Sequence, residues 1–169
     1  RSANHLAHLR AFMPAYYHKM PGDDLAGFNP DDLAGAALSH WQLARLSIAE
    51  APHVLVFNPT FDSHGWQSPH TVIQIVAEDQ PWLVASTQAA LAREGHTVYH
   101  INHPILHVER DEHGQWLDIS ETASGESLMH IEIDALTDEQ QGSVRVLLDN
   151  LFTTLGIIAD DAEAIRQHM

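Results

Sequence analysis

Apolar residues recur at steps of three and four in several stretches of the chain, the spacing of an amphipathic helix. The first stretch is 1–19, where Pro14 should kink or divide the helix. The second begins at Asn29-Pro30 and ends near Leu46, because Asn29 can cap a helix and Pro30 suits its first position. Two more helices are predicted, over 81–94, with Pro81 first and Gly95 just past the end, and from about 137 to 156.

Strands are predicted where apolar residues cluster or alternate with a period of two. The pattern is clearest near the C-terminal end, where Met129, Ile131 and Ile133 alternate with His130, Glu132 and Asp134. The segment 61–69 is polar and contains Gly and Pro, so we expect a loop there. The predicted strands are 54–57, 71–78, 96–110, 116–119 and 128–134.

The order of elements from residue 71 onward is strand, helix, strand, strand, helix. This is a ferredoxin-like β-α-β-β-α-β unit without its last strand, and strand 53–58 can fill that place. The predicted fold class is therefore α+β, with a helical arm over 1–50, a sheet-and-helix domain over 51–157 and a helical linker over 158–169. Both helices should pack on the face of Ile73, Ile75, Ile131 and Ile133. The opposite face, with Gln74, Glu78, His130, Glu132 and Asp134, is expected to meet solvent, another subunit or another domain.

The charge balance narrows the classes of partner. Lysine and arginine number 8 against 23 acidic residues, a formal net charge of −15. Such a chain repels phosphate, so neither nucleic acid nor an anionic membrane is an expected partner. There is no cysteine, no apolar run of membrane-spanning length and no secretory signal pattern, and we therefore expect a cytoplasmic protein. Because the chain starts at Arg1 without an initiator Met, we expect a fragment of a longer protein.

Motifs of common catalytic chemistry are missing from the sequence. It has no G-x-G-x-x-G, no P-loop, no G-x-S-x-G and no H-E-x-x-H, so no catalytic residue is predicted. Fourteen histidines are spread along the chain. The less favoured interpretation is that some of them bind a metal ion, at a site across neighbouring strands formed by His100, His130 and Glu132. A free-standing metal-assisted hydrolase would rest on the histidine count alone.

The best candidate for a ligand site is the turn between strand 71–78 and the helix that follows. A helix N-terminus offers free N–H groups to a carboxylate, and Asp79 can take the amino group of the same ligand. The plainer interpretation, which composition alone favours, is that Asp79 only caps the helix. The candidate turn consists of Glu78, Asp79, Gln80, Pro81, Trp82 and Leu83.

Five stretches resemble the N-terminal region of the large bacterial NAD-specific glutamate dehydrogenases. The longest is FNPTFDSHGWQSPHTVIQIVAEDQPWLVAS at 57–86. The others are DLAGAALSHWQLAR at 32–45, HINHPIL at 100–106, DEHGQWLDI at 111–119 and ESLMHIEID at 126–134. The sequence departs from the family pattern where Glu78 stands for Asp, Trp82 for Phe and Ala85 for Asp.

The resemblance implies an ACT-like regulatory domain near the front of a much longer enzyme. The parent reaction would be the NAD-dependent oxidative deamination of L-glutamate to 2-oxoglutarate and ammonia. The fragment itself would hold no cofactor and no catalytic residue. Its expected partners are other domains of the parent chain, further copies in a homo-oligomer, and an amino-acid effector that regulates the enzyme allosterically. A purely structural oligomerisation domain and a free-standing amino-acid-binding module are the alternatives.

Overall fold

The computed structural model describes residues 2–46 and 52–167. Three helices precede the first strand and three more lie between or after the strands. The helices are α1 (Ser2–Tyr16), α2 (Gly22–Ala26), α3 (Pro30–Ala44), α4 (Phe61–His64), α5 (Leu83–Arg93) and α6 (Asp138–Gln167). The strands are β1 (His53–Phe57), β2 (Thr71–Glu78), β3 (Val98–Asn102), β4 (Ile105–Arg110), β5 (Trp116–Ile119) and β6 (Gly125–Ile133).

The sheet is antiparallel at every pair and is built around β6. On one side of β6 lies β2, with β1 outside it, in the order β1-β2-β6. On the other side β3 pairs with one half of β6 and β4 with the other half, and β5 pairs with β4. Because β2 and β3 are both antiparallel to β6, they are parallel to each other, as the predicted crossover requires. The expectation that strand 53–58 completes a ferredoxin-like sheet is confirmed.

One face of the sheet carries the predicted core. Ile73, Ile75, Ile131 and Ile133 are fully buried there, against apolar side chains of α5 and α6. The register explains the cluster, since Ile73 lies opposite Ile131 and Ile75 opposite Met129 on adjacent strands. Burial of this apolar surface is the main force that holds both helices on the sheet. The helical partners in this cluster are Leu83, Leu91, Val144, Leu148 and Phe152.

The opposite face is covered by the chain's own N-terminal helices. Phe12 and Tyr16 of α1 and Trp41 of α3 pack with sheet residues such as Val76 and Leu128. The expectation of a face open to solvent or to another subunit is therefore corrected for its centre. Gln74, His130 and Glu132 are only 0%, 4% and 7% exposed, while Glu78 and Asp134 stay more open at the strand ends. The polar residues on this face do not indicate solvent, because the helices supply hydrogen-bond partners for them.

A layer of buried polar groups joins α1 and α3 to the sheet. One nitrogen of His40 lies 2.6 Å from the Tyr16 hydroxyl and the other 2.9 Å from the carbonyl oxygen of Ile75. The Gln74 amide donates to the Ala36 carbonyl at 3.0 Å and accepts from the Ser39 hydroxyl at 2.8 Å. Burial lowers the pKa of His40 to about 3, so this ring stays neutral in the folded protein. Both these directional hydrogen bonds and apolar packing therefore fix the position of the helices on the sheet.

Local structure departs from the sequence prediction at three points. The predicted strand 96–110 is divided at His103 and Pro104 into the two strands β3 and β4. Within the expected loop 61–69, the residues of α4 form one helical turn, with Thr60 as N-cap and Gly65 in the left-handed region at φ 77°. Helix α5 begins at Leu83 rather than at Pro81, because the Asp79 N–H still pairs with the Gly125 carbonyl across the sheet. The start and cap of α3 are as predicted, with Asn29 accepting from the Asp31 N–H at 2.8 Å.

The division of the chain at residues 50 and 157 stays a prediction. The contacts of α1 and α3 with the sheet cross the first boundary, and α6 runs as a single helix of 30 residues through the second. Within the part of the chain that is described, no helix is both long and apolar enough to span a membrane.

Candidate functional site

A cleft of about 200 Å³ lies between the N-terminal helices and the polar face of the sheet. Its lining comes from three parts of the chain: the arm, the segment that leads from α4 into β2, and strands β3 and β6. Its volume lies below the roughly 300–1,000 Å³ of drug-sized sites and suits a small molecule. The lining residues are Tyr17, Phe28, Asp32, Leu33, Ala36, Trp66, Gln67, Ser68, Pro69, His70, His100, Asn102, His130 and Glu132.

Strand geometry brings the polar residues of the cleft together. His130 and Glu132 are two residues apart on β6 and therefore point to the same face. The β3–β6 register places His100 opposite Glu132 and Asn102 opposite His130. The rings of His100 and His130 lie 6.0 Å apart between centroids. Sequence reasoning had grouped His100, His130 and Glu132, and the structure does bring them together.

Glu132 is the centre of the polar network. Its Oε1 accepts from the Ser68 hydroxyl at 2.5 Å and from His70 Nδ1 at 3.2 Å, while its Oε2 accepts from His130 Nε2 at 3.0 Å. Burial raises the pKa of this carboxyl, but the hydrogen bonds from His130, Ser68 and His70 outweigh burial and lower the pKa to about 2. Glu132 is thus a carboxylate at neutral pH.

The same network determines the protonation of His130. Gln74 Nε2 donates to the Ala36 carbonyl, which can only accept, so the second N–H of that amide faces His130 Nδ1 at 3.1 Å. His130 Nδ1 is therefore an acceptor and Nε2 carries the proton given to Glu132. Both nitrogens of the ring are engaged, and no lone pair is left for a metal ion. Accordingly, the described residues include no group of three His, Asp or Glu with the geometry to hold a metal.

The cleft lacks the geometry of a catalytic triad. Ser68 and His70 both donate to Glu132, and the Ser68 hydroxyl is not aimed at a histidine nitrogen. A serine nucleophile needs a histidine to accept its proton, with the carboxylate behind that histidine. The arrangement stabilises a buried carboxylate and does not activate the Ser68 hydroxyl as a nucleophile.

Two polar side chains of the cleft have unused hydrogen-bonding capacity. Asn102 donates from Nδ2 to the Tyr16 carbonyl at 3.0 Å, and its Oδ1 has no partner among the described residues. The His100 ring lies 5.0 Å from the Phe28 ring between centroids, tilted by 51°, and within the described part of the chain its nitrogens make no hydrogen bond. Burial, with the neighbouring His130, lowers the pKa of His100. These atoms are available to a ligand.

The arm closes the cleft through specific contacts. The Tyr17 hydroxyl donates a hydrogen bond to the Leu33 carbonyl at 2.5 Å, and the Asp32 carboxylate accepts one from the Gln67 N–H at 3.0 Å. Trp66 is 3% exposed and lies directly against Gly35 of α3, where a side chain would collide with it. The sequence DDLAG occurs twice, at 23–27 and 31–35. The two copies differ in role, because Asp32 holds the cleft segment while Asp24 lies in the short helix α2.

The turn chosen from sequence lies elsewhere, at the opposite end of β2. Glu78 and Asp79 line an open depression together with His107 and Arg110. Trp82 is 42% exposed, whereas Leu83 is part of the main core. The N-cap position of α5 is Trp82, without a side-chain cap bond, so the interpretation of Asp79 as a helix cap is wrong. The assignment of Glu78, Asp79, Gln80, Pro81, Trp82 and Leu83 as a ligand site stays a prediction.

Sequence reasoning missed the residues that complete the cleft. Trp66, Ser68 and His70 stand within HGWQSPHT, a stretch that had been used only to support the family resemblance. Tyr17 lies in the stretch 1–19, which had been interpreted only as an amphipathic helix. The available signal was the density of polar and aromatic residues in a segment that makes no regular structure, since binding residues are often on such segments.

The fold and the cleft define an α+β domain of the ferredoxin-like, ACT type. A family model described as "Glutamate dehydrogenase, ACT1 domain" matches residues 12–146. The chain belongs to this family of glutamate dehydrogenase ACT1 domains.

Two relatives agree with this assignment. The NAD-specific glutamate dehydrogenase of Halomonas elongata is 40% identical over 134 residues, which are 76% of this chain and 8% of that enzyme. The NAD-specific glutamate dehydrogenase of Pseudomonas aeruginosa is 31% identical over 157 residues, 89% of this chain and 10% of that enzyme. The chain thus spans a tenth or less of the length of these relatives.

Proposed function

We propose that this chain is a non-catalytic, N-terminal regulatory domain of a large NAD-dependent glutamate dehydrogenase. The names of the two relatives support this, together with the small share of their length that the chain matches. In the parent enzyme, L-glutamate would be deaminated oxidatively to 2-oxoglutarate and ammonia with NAD as oxidant. The sequence has no dinucleotide-binding G-x-G-x-x-G, so NAD would bind to other domains of the parent chain.

The observation that carries a regulatory role is the position of the cleft between two layers. Residues of the arm form one wall and residues of the sheet form the other. A ligand there touches both layers, so its affinity depends on how the arm lies on the sheet. Differential affinity for two arrangements is the physical requirement for a ligand to shift an equilibrium.

An amino acid is the proposed effector, and the cleft is its favoured location. The cleft is more enclosed than the depression at Glu78 and Asp79. The turn 78–83 remains a second location.

The test uses the full-length parent enzyme and the twenty amino acids. An effector at about 100 times its dissociation constant should stabilise the domain by about 2.7 kcal/mol and change the rate of glutamate-dependent NAD reduction. We expect His100→Trp, which fills the cleft, to remove the response and His107→Trp, outside the cleft, to keep it. The regulatory proposal fails if no amino acid alters the rate, or if both variants respond equally.

A purely structural role in homo-oligomer formation is the alternative. The apolar stripe of α6 could have supplied the contact surface for such a role, but Val144, Leu148 and Phe152 are used within the chain's own core. Light scattering of the purified chain distinguishes the two roles: a dimer or higher species whose formation no amino acid affects would favour the structural one.

A further inference from the structure

The cleft between arm and sheet is poor in fixed positive charge. Its lining contains the carboxylates of Asp32 and Glu132 but no lysine or arginine. Both nitrogens of His130 are engaged, because Nδ1 accepts from Gln74 and Nε2 donates to Glu132. A dicarboxylate or a phosphate that entered this cleft would meet two carboxylates and no lysine or arginine, and would be repelled.

The free polar atoms of the cleft are mainly acceptors. Asn102 Oδ1 has no partner among the described residues, although the residue is only 3% exposed. Glu132 Oε2 accepts a single bond, from His130, and an ionised carboxylate oxygen can accept two. The Tyr17 hydroxyl, a possible donor, already gives its proton to the Leu33 carbonyl. A ligand with several donors therefore matches this surface better than one with several acceptors.

The remaining walls are apolar and partly aromatic. Phe28, Leu33, Ala36 and Trp66 contribute them, and the volume of about 200 Å³ holds roughly seven waters at 30 Å³ each. Aromatic faces attract cations in addition to apolar groups. The space suits a branched or flat body of a few carbon atoms.

We propose that the cleft binds a small primary ammonium compound with an apolar body, its ammonium group directed at Glu132 and Asn102. Among amino acids this selects those with apolar side chains and rejects glutamate, the substrate of the parent reaction. The role of this ligand in the parent enzyme rests on the proposed regulatory function. The binding itself depends only on residues of this chain. A domain that rejects the parent substrate can report on a different metabolite while glutamate is abundant.

The experiment compares three probes that share one carbon skeleton, by calorimetric titration of the 169-residue chain. Isoamylamine has the ammonium group alone, 4-methylpentanoate the carboxylate alone, and L-leucine both. We expect isoamylamine and L-leucine to bind at least about tenfold more tightly than 4-methylpentanoate, since only they supply a charge-assisted hydrogen bond. The proposal is overturned if the acid binds as tightly as the amine, or if none of the three binds.

Two variants locate the site and two matched controls accompany them. Glu132→Gln should weaken the binding of isoamylamine at least about tenfold, because the carboxylate charge is lost. His100→Trp should block the cleft, and it decides the question if Glu132→Gln does not fold. The two controls should bind isoamylamine with full affinity. They are Asp79→Asn, which changes a carboxylate in the open turn, and His107→Trp, which changes a histidine outside the cleft. Loss of binding in Asp79→Asn with retention in His100→Trp would place the site at the turn and overturn the proposal.

The two proposals fail separately. If the chain prefers the acid while an amino acid still controls the full-length enzyme through the cleft, the ligand class is wrong and the regulatory function stands. If the chain binds the amine in the cleft but no amino acid changes the rate of the parent enzyme, the ligand class is right and the regulatory function is wrong.

Discussion

Replacement of Gly35 by alanine tests how closely the arm fits the sheet domain. Gly35 lies in α3, where an added Cβ would stand within 2.5 Å of the Trp66 Cβ and closer still to its Cγ and Cδ1. Trp66 has little room to retreat, because it is 3% exposed and packs edge-on against Phe57 with 5.8 Å between ring centroids. Either the helix or the indole must therefore move.

The expected magnitude follows from two opposing effects. Alanine stabilises a helix interior by about 1 kcal/mol relative to glycine. Overpacking of a closed site costs about 1–3 kcal/mol. Gly142 in α6 is the matched control, because a Cβ there meets nothing within 4 Å and only the helix effect applies. Gly35→Ala should therefore be about 1–3 kcal/mol less stable than Gly142→Ala, or roughly 2–12 °C lower in melting temperature.

Thermal unfolding followed by circular dichroism measures both variants, and tryptophan fluorescence reports the surroundings of Trp66. Gly142→Ala should melt above the wild type and Gly35→Ala below Gly142→Ala by the stated amount. The close approach of arm and loop is refuted if the two alanine variants are equally stabilised, since that would mean that α3 does not lie against Trp66.

Three further predictions concern the ionised groups. As the pH falls from about 4.5 towards 2, the wild type should lose the stabilisation that the lowered pKa of Glu132 provides. Urea titrations at each pH measure this loss, and Glu132→Gln should not show it. Parallel curves of unfolding free energy against pH for the two proteins would contradict the prediction. Arg110→Ala should lower the unfolding free energy, measured in urea, by about 3–5 kcal/mol, because it leaves the Glu126 carboxylate, 5% exposed, without its partner. The double variant Arg110→Met with Glu126→Leu should recover most of this loss. An equally unstable double variant would show that the ion pair is not the cause. Asp79→Ala should change the unfolding free energy by less than about 0.5 kcal/mol, since the side chain is exposed and caps no helix, and a fall above about 1 kcal/mol would restore the capping interpretation.

The candidate site was only partly accessible to sequence reasoning. Period-two alternation placed His130 and Glu132 on one face of β6, and the predicted neighbouring strand placed His100 beside them. Alternation says which side chains share a face, but it does not say what lies over that face. The cover comes from residues about a hundred positions earlier, and local pattern cannot report a contact such as that of Asn102 with the Tyr16 carbonyl.

The sequence alone determined most of the elements and the order in which they form a ferredoxin-like sheet, because periodicity, caps and turns act over a few neighbouring residues. It did not predict the short helix α4 or the break between β3 and β4. It also pointed to the family, since the matching stretches cover most of the chain. Tertiary structure alone decided that the arm folds back on the sheet, that the polar face is buried, and that Ser68 and His70 meet Glu132. Those contacts join residues more than 60 positions apart, and their energy depends on shape complementarity and exclusion of water, which no local stretch of sequence contains.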